Sequence, residues 1–380
     1  MVMKMKKLLI SLLSLLLITG CAQPEEEEVE LKKYSQMDID SGFDTYLSIQ
    51  TTAASQEEFR EYFKASCDRF KELNALFDIY NNYEGLNNLK TINDNAGIAP
   101  VEVSDEIMEM LKLAKEFYEL SDGKFDITMG SVMKIWHEYR SEGIELNENE
   151  QLGNIPTLEE LTSAKAYTGW EHIHLDEENN TVYIDDPNVS LDVGGIAKGF
   201  AAEDIANMLE EKGILMGIVD AGGNNRMIKE KLDGTPWNVG IQDPGNSGIP
   251  NLAGGLFVIS RKGQSSFVTS GDYQRYYVAE DEQKYHHIID PVTLFPATYF
   301  HSVSIVMNNS AVADAMSTTL FTMSYEEGLA FVEKYNSTHE DKASVVWIMD
   351  EPVDTQYGRK TGNYFVAYTE DLEGYIRWND

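Results

Sequence analysis

Short apolar runs typical of β-strands crowd the second half of the chain, and helices fall between them in no regular order. A parallel sheet needs a crossover, usually a helix, between successive strands, so it would give a regular strand–helix rhythm. That rhythm is absent. The sequence therefore predicts an α+β fold with largely antiparallel sheets and packed helices. The predicted strands are residues 43–49, 189–193, 214–220, 258–260, 273–278, 301–306, 345–349 and 364–368.

Helical spacing of apolar residues predicts helices over residues 57–77, 196–212 and 311–323. Ser104 followed by acidic residues marks another helix start, and Ser324 with Glu327 forms the capping box of a further one. Residues 141–165 are polar and poor in large apolar groups, so we expect a long surface insertion there. Cys67 lies on the apolar face of the first helix and is expected to be a core thiol.

The amino terminus has the pattern of a secretory signal, with lysines before an apolar run at residues 8–18. Such a run is too short to span a bilayer as a helix. Residues 18–21, Ile-Thr-Gly-Cys, resemble the bacterial lipobox, in which Cys21 is lipidated and becomes the mature N-terminus. The alternatives are an uncleaved anchor, or a cleavage site beside an incidental cysteine.

These features predict three segments. Residues 1–20 are expected to be a lipoprotein signal peptide, and residues 21–40, which include four consecutive glutamates, an acidic tether. Residues 41–380 are expected to form the folded domain, lipid-anchored to a bacterial membrane outside the cytoplasm. The formal charge of −34 excludes non-specific nucleic-acid binding, because contacts to phosphate backbones need clustered lysine and arginine.

A strand-to-helix turn at residues 190–199 carries the first candidate site. Asp192 ends the strand, two glycines follow, and Lys198 falls in the first turn of the helix. Exposed N–H groups, the positive end of a helix dipole and an ammonium group together suit a phosphate. The ordinary alternative is a tight turn with Asp192 as a helix N-cap.

Two further segments carry titratable groups. Asp314 and Thr318 are spaced i, i+4 on a helix, so their oxygens share one face, and a set of hard oxygen ligands favours Mg²⁺ or Ca²⁺ over zinc. His286, His287 and Asp290 lie close together, but their spacing fits no usual zinc pattern. A histidine beside a carboxylate suits proton transfer better.

Six motifs, in this order, resemble the ApbE family, whose members are bacterial FAD:protein FMN transferases and often lipoproteins. They are Gly123-Lys-Phe-Asp-Ile-Thr-Met-Gly130, Leu191-Asp-Val-Gly-Gly-Ile-Ala-Lys-Gly199, Ala221-Gly-Gly223, Thr269-Ser-Gly-Asp-Tyr273, His287-Ile-Ile-Asp-Pro291 and Ala313-Asp-Ala-Met-Ser-Thr318. The resemblance runs from about residue 43 to residue 335. It implies an α+β, T-fold-like domain built from two related halves.

The resemblance also implies an activity and its residues. Family members use Mg²⁺ to cleave FAD, attach FMN through its phosphate to a threonine hydroxyl of a partner protein, and release AMP. The implied metal ligands are the Gly195 carbonyl, Asp314 and Thr318, and His287 is the implied base. The implied FAD contacts are Phe43, where the family has methionine, together with Tyr80, Lys124, Phe125, Asp126, Asp192, Lys198, Ile288 and Ser317.

Other positions depart from the family motifs. Tyr83-Glu84-Gly85 replaces the usual Ser-Glu, Asn224 replaces an aspartate, and Leu294 replaces a glycine. The partner is expected to carry a motif like Asp-Gly-x-Thr-Gly-x-Thr, which residues 233–236 of this chain do not match. The chain is therefore predicted to be the modifying enzyme. The alternatives are an FAD pyrophosphatase giving FMN and AMP, or a flavin-binding lipoprotein without turnover.

Overall fold

A nine-stranded sheet, antiparallel at every pairing, organises the protein. The computed structural model describes residues 30–246 and 255–379. In spatial order the sheet contains β1 (Lys32–Gly42), β2 (Thr45–Ala53), β6 (Gly217–Ala221), β7 (Asn224–Ile228), β10 (Ser265–Gly271), β13 (Ser302–Met307), β14 (Ser344–Met349), β16 (Tyr364–Tyr368) and β15 (Gly358–Thr361).

Smaller sheets and the helices surround this one. The smaller sheets are β8 (Trp237–Ile241) with β9 (Phe257–Arg261) and β17 (Ile376–Trp378), β3 (Val101–Glu102) with β4 (Ile173–Asp176) and β5 (Thr181–Ile184), and β11 (Tyr277–Val278) with β12 (Lys284–Tyr285). The helices are α1 (Gln56–Phe77), α2 (Leu89–Asp94), α3 (Asp105–Leu120), α4 (Gly130–Glu148), α5 (Leu158–Lys165), α6 (Ala197–Glu211), α7 (Ser310–Phe321) and α8 (Tyr325–Thr338). The predicted α+β class with largely antiparallel sheets is confirmed.

Alternation along the central strands divides the core between the two faces of the large sheet. Ile305 and Val345 pack into the cluster that contains the buried sides of α1, α6 and α7. Their neighbours Val306 and Val346 pack into a second cluster with β8 and β9. Successive side chains of a strand point to opposite faces, so an apolar run of this kind belongs to a strand covered on both sides.

The segment predicted as a surface insertion is mostly exposed, as expected, but much of it is helical and it packs on the domain at a few positions. Residues 141–165 contain the end of α4 and all of α5, and Leu161 is fully buried. Gly143 lies against the ring of Tyr277, so closely that an added Cβ would be 2.3 Å from its Cδ2. The sequence did not reveal this packing, because the close approach at Gly143 is not detected by a count of large apolar residues.

Strand and helix boundaries differ from the predictions at several places. β1 begins at Lys32, so the last part of the predicted tether belongs to the sheet. Residues 189–193 form only an isolated bridge, between Ser190 and Met129, instead of a strand. The capping box predicted at Ser324 is present. The N-cap of α7 is Asn309, whose side chain accepts a hydrogen bond from the Val312 N–H.

The predicted signal peptide, the lipidation site Cys21 and the first part of the predicted tether lie outside the described residues. Within the part of the chain that is described, no helix is both long enough and apolar enough to cross a bilayer. Cys67 is buried and forms no disulfide, as expected of a core thiol, and burial raises the pKa of its thiol.

Candidate active site

Most of the predicted site residues line one cavity of about 520 Å³. Its walls come from the start of α6, the turn between β6 and β7, the end of β10, one side of α4, the segment after His286, and α7. Segments far apart in sequence therefore meet at one place. The predicted residues that line the cavity are Lys124, Phe125, Asp126, Asp192, Gly195, Lys198, His287, Ile288, Asp314 and Thr318.

The remaining predicted residues lie behind or beside this wall. Phe43 packs on Phe70, with ring centroids 4.8 Å apart, while its neighbour Asp44 lines the cavity. Ser317 is fully buried, and its hydroxyl is 2.8 Å from that of Ser270, which does line it. Phe43 and Ser317 thus support the wall from behind.

Tyr80 lies at the edge of the cavity with 62% of its surface exposed. Its hydroxyl is 2.8 Å from Nδ1 of His137, a residue of the cavity wall. On the other side of the same ring, His137 Nε2 lies 3.5 Å from Asp192 Oδ2. The side chains of Tyr80 and Asp192, both predicted from sequence, are therefore joined through a histidine that the sequence analysis did not select.

The predicted metal ligands lie at the junction of α6 and α7. Asp314 Oδ2 accepts hydrogen bonds from the Gly199 N–H at 2.7 Å and from the Asn224 side-chain amide at 2.9 Å. The Thr318 hydroxyl donates to the Gly195 carbonyl at 3.3 Å. Carboxylate, hydroxyl and carbonyl oxygens are thus gathered within one wall, as a hard cation requires.

Two glycines make this junction possible. A Cβ on Gly195 would lie 3.1 Å from Thr318 Cγ2, and one on Gly199 would lie 2.4 Å from Asp314 Cβ. Gly199 also supplies one of the N–H groups that a helix leaves unsatisfied in its first turn, so Asp314 caps α6 from a neighbouring helix.

Burial raises the pKa of Asp314, while the nearby charge of Lys198 lowers it. A buried carboxylate of this kind is best stabilised by a positive partner. The described residues contain no cluster of three or more histidine, cysteine or acidic side chains suited to a metal ion. The mixed oxygen donors at Gly195, Asp314 and Thr318 fit Mg²⁺ and do not suit a soft metal.

Groups for binding an anion surround the metal ligands. Asp192 Oδ1 accepts the Gly194 N–H at 2.9 Å, which shapes the turn before α6. Lys198 makes no hydrogen bond or ion pair with any described residue and lines the cavity. Lys124 is held elsewhere, donating to the Thr322 carbonyl at 3.0 Å and lying 3.5 Å from Asp290 Oδ1. Lys198 is thus the free ammonium near the turn.

The two adjacent histidines have different environments. His286 is buried, accepts the Ile288 N–H at Nδ1 and contacts the Ala297 carbonyl at 2.8 Å through Nε2. Since Nδ1 accepts, the proton must be on Nε2, which fixes a structural tautomer. His287 lines the cavity, and its buried Nδ1 has no hydrogen-bond partner. His287 is therefore the histidine available for proton transfer.

The pKa of His287 lies well below the ordinary value of 6.5, chiefly because the ring is buried. His286 and the positive charges of Arg140, Arg275 and Lys198 lower it further. At neutral pH the imidazole is consequently uncharged and can accept a proton, which is the state that a general base needs.

Sequence reasoning missed His137, Arg140 and the role of Arg275, all in the cavity wall. A signal was present, because Met133, His137 and Arg140 are spaced i, i+4, i+7 and so share one face of a helix. It was overlooked because α4 continues into the polar segment that was predicted to be an insertion. Arg275 lies two residues after the Thr269–Tyr273 motif, which begins within β10, and no role was predicted for it.

Comparison with known proteins agrees with this geometry. A family model described as the ApbE family matches residues 43–341. The chain is 30% identical over 330 residues to an FAD:protein FMN transferase of Vibrio cholerae serotype O1, covering 87% of this chain and 91% of that protein. It is 34% identical over 262 residues to the FAD:protein FMN transferase of Treponema pallidum, covering 65% and 68% of the two chains.

Solved structures give the same result. The ApbE protein of Thermotoga maritima matches with a TM-score of 0.71 at 27% identity, covering 91% of this chain and 100% of that one. The flavin transferase ApbE from Vibrio cholerae shares the fold, with a TM-score of 0.68 at 23% identity over 91% of this chain and 100% of that one. The resemblance inferred from the motifs is confirmed.

Proposed function

This chain belongs to the ApbE family and is an FAD:protein FMN transferase, and we propose that it joins FMN to a threonine hydroxyl of its partner with Mg²⁺ bound. One observation carries the proposal. His287, with an unpartnered ring nitrogen, lines the same cavity as the oxygens of Gly195, Asp314 and Thr318. A base and a hard-cation site at one cavity are the two requirements of this transfer.

Gly195, Asp314 and Thr318 would hold the cation. When bound, Mg²⁺ would supply positive charge to the pyrophosphate of FAD. The chain adds Lys198 and the N–H groups at the start of α6, which favour an anion at the same wall. Asp192 keeps the turn closed through the Gly194 N–H.

The acceptor is activated by His287. A threonine hydroxyl is a weak nucleophile, so a neutral imidazole must take its proton as the new bond to phosphorus forms. Burial first, and then the surrounding positive charges, keep the pKa of His287 low and leave this ring uncharged. Tyr80, at the edge of the cavity, offers an aromatic surface on which a ring of FAD can stack.

We further propose that the acceptor carries a motif like Asp-Gly-x-Thr-Gly-x-Thr and lies outside the cytoplasm, where this protein is lipid-anchored through Cys21. The support is the lipobox-like Ile-Thr-Gly-Cys at residues 18–21, after a basic and then apolar start. Replacing Cys21 with serine should abolish incorporation of labelled fatty acid. The variant protein should be released from the membrane or remain unprocessed. Unchanged labelling of the variant contradicts the proposed anchor.

The activity test uses full-length protein in detergent with FAD, Mg²⁺ and an acceptor bearing the threonine motif. We expect covalent flavin on the acceptor, AMP release that the acceptor stimulates, and loss of both after chelation. An acceptor with alanine in place of the threonine is the matched control. Equal AMP release without acceptor, and no labelled acceptor, would instead identify an FAD pyrophosphatase.

Asp314→Ala tests the metal assignment in the same assay. Activity should fall sharply and should not be restored by raising Mg²⁺ to levels that saturate the unsubstituted enzyme, because the anionic ligand is missing. FAD binding should weaken less. Normal turnover of the variant at limiting Mg²⁺ would show that the cation binds elsewhere.

A further inference from the structure

Two arginines of the cavity wall form no ion pair with a carboxylate among the described residues, although the Asp192 carboxylate acts on Arg140 from a longer distance. Arg140, on α4, makes no hydrogen bond or ion pair with any of the described residues. Arg275 donates only to the backbone carbonyls of Phe43 and Asp44, at 3.2 and 3.3 Å. In a chain with a formal charge of −34, acidic partners are abundant, so two unpaired guanidinium groups at one cavity need a reason.

Both arginines are held in place by structure outside the cavity. α4 is fixed by the Trp136 indole N–H, which donates to the Leu294 carbonyl at 2.9 Å, and by Gly143 against Tyr277. Arg275 has a left-handed backbone with φ of 50°, and its side chain is tied to the turn that follows β1. The backbone that carries each arginine is therefore fixed at the cavity wall.

The two arginines also act on the same neighbours. They line the same cavity. Burial and the charge of Arg275 lower the pKa of Arg140, whereas Tyr80 and Asp192 raise it in part. Both of them lower the pKa of His287, as Lys198 does. Like charges gathered around one uncharged histidine cost free energy, and an anion bound among them would remove that cost.

We propose that Arg140 and Arg275 clamp the non-bridging oxygens of the FMN phosphate, the phosphoryl group that the acceptor attacks. The inference rests on the proposed function and adds the residues that bind the transferred group. A guanidinium group presents two parallel N–H donors to a phosphate, a geometry that a lysine does not offer.

The position follows from the bonds that change. The threonine Oγ–P bond forms while the P–O bond to the AMP phosphate breaks, AMP leaves with that electron pair, and the threonine proton passes to His287. The phosphorus under attack must therefore lie beside His287, where the charges of Arg140 and Arg275 converge. Charge on its non-bridging oxygens during transfer is what such cations stabilise.

FMN and riboflavin differ only in the phosphate, so they are the probes. Titrations of full-length protein in detergent, followed by flavin fluorescence, should show FMN affinity about 10-fold or more lower in Arg140→Gln and in Arg275→Gln. Riboflavin affinity should not change. Arg60→Gln removes the same charge from an exposed position of α1 that does not line the cavity, and it should match the unsubstituted protein.

Transfer kinetics give a second readout. Arg140→Lys keeps the charge and loses the fork, so its kcat should lie between those of the unsubstituted protein and Arg140→Gln. The acid limb of the pH profile should move to higher pH in Arg140→Gln, because one of the charges that depress the pKa of His287 is gone.

Unchanged FMN affinity in both glutamine variants would overturn the clamp. Equal losses for FMN and riboflavin would also overturn it, since the arginines would then contact the flavin ring and not its phosphate. An unsubstituted protein that prefers FMN to riboflavin yet labels no acceptor would contradict the transferase proposal and leave the clamp standing.

Discussion

Gly199→Ala is the substitution whose effect on the metal site can be worked out most directly from the structure. The added Cβ would lie 2.4 Å from both Asp314 Cβ and the Ser310 carbonyl oxygen. Non-bonded carbon atoms approach to about 3.5 Å at best, so α6 and α7 must separate by about 1 Å. Because Asp314 and Thr318 both belong to α7, while Gly195 lies just before α6, the carboxylate and the Thr318 hydroxyl would both move away from the Gly195 carbonyl.

Overpacking of this kind costs about 1–3 kcal/mol. The gain in helix propensity from glycine to alanine, up to about 1 kcal/mol, offsets part of it. The Gly199 N–H bond to Asp314 at 2.7 Å would also be strained or lost. We therefore expect a net loss of about 2 kcal/mol in the free energy of unfolding, with activity falling by about 100-fold for a 1 Å displacement of a catalytic group.

Gly328→Ala is the matched control, also a glycine inside a helix. Its added Cβ would meet Leu320 Cδ2 at an ordinary 3.4 Å. That variant should be as stable as the unsubstituted protein, or more stable by up to about 1 kcal/mol, with full activity. Chemical denaturation gives the stabilities, and transfer as a function of Mg²⁺ concentration gives the site effect. Gly199→Ala with normal stability, activity and Mg²⁺ dependence would refute the packing argument.

Substitutions at three other positions test separate parts of the structure. His287→Ala should lower the rate of FMN transfer by roughly 10²–10⁴-fold with little change in FAD affinity, measured by single-turnover labelling of the acceptor. In chemical denaturation, the free energy of unfolding of Leu294→Ala should be about 1 kcal/mol lower than that of Leu294→Gly. Both variants lose the buried side chain, but only glycine adopts a φ of 64° without strain. Hydrogen bonds to Asp272 and Asp350 raise the pKa of His301 to about 9, so its stabilisation is complete below pH 6.5 and is lost as pH rises through 9. Between these pH values the free energy of unfolding of the unsubstituted protein should fall by about 1 kcal/mol, and in His301→Gln it should change less. Equal slopes for the two proteins would contradict the pairing of His301 with the two aspartates.

The parts of the site that could be predicted from sequence are local in the chain. Asp314 and Thr318 share a helix face through their i, i+4 spacing, and the turn from Asp192 to Lys198 occupies a few consecutive residues. Spacing on one element fixes the relative direction of such side chains before any tertiary structure is known. That is why the predicted donors lie together in the structure.

Contacts between distant segments could not be obtained in this way. Asn224 donates to Asp314 across 90 positions of sequence, and it was noted only as a departure from a motif. His137 likewise contacts Tyr80 and Asp192, which are both far from it in sequence. Such contacts depend on the order of strands in the large sheet, and hydrophobic periodicity does not encode that order.

Two of the motif departures, Phe43 and Leu294, lie at left-handed backbone positions that tertiary contacts stabilise. Phe43 has φ of 55° and Leu294 has φ of 64°, a conformation that costs a non-glycine residue about 1–2 kcal/mol. Tertiary contacts offset that cost. The Phe43 N–H donates to Asn74 at 2.7 Å while its ring packs in the core, and Leu294 is 5% exposed with its carbonyl held by Trp136. Where the family motif has glycine at position 294, this chain has a buried side chain on a left-handed backbone. Comparison of the sequence with the motif shows only that a glycine is missing at this position. The structure shows that burial of the leucine side chain offsets the cost of its left-handed backbone.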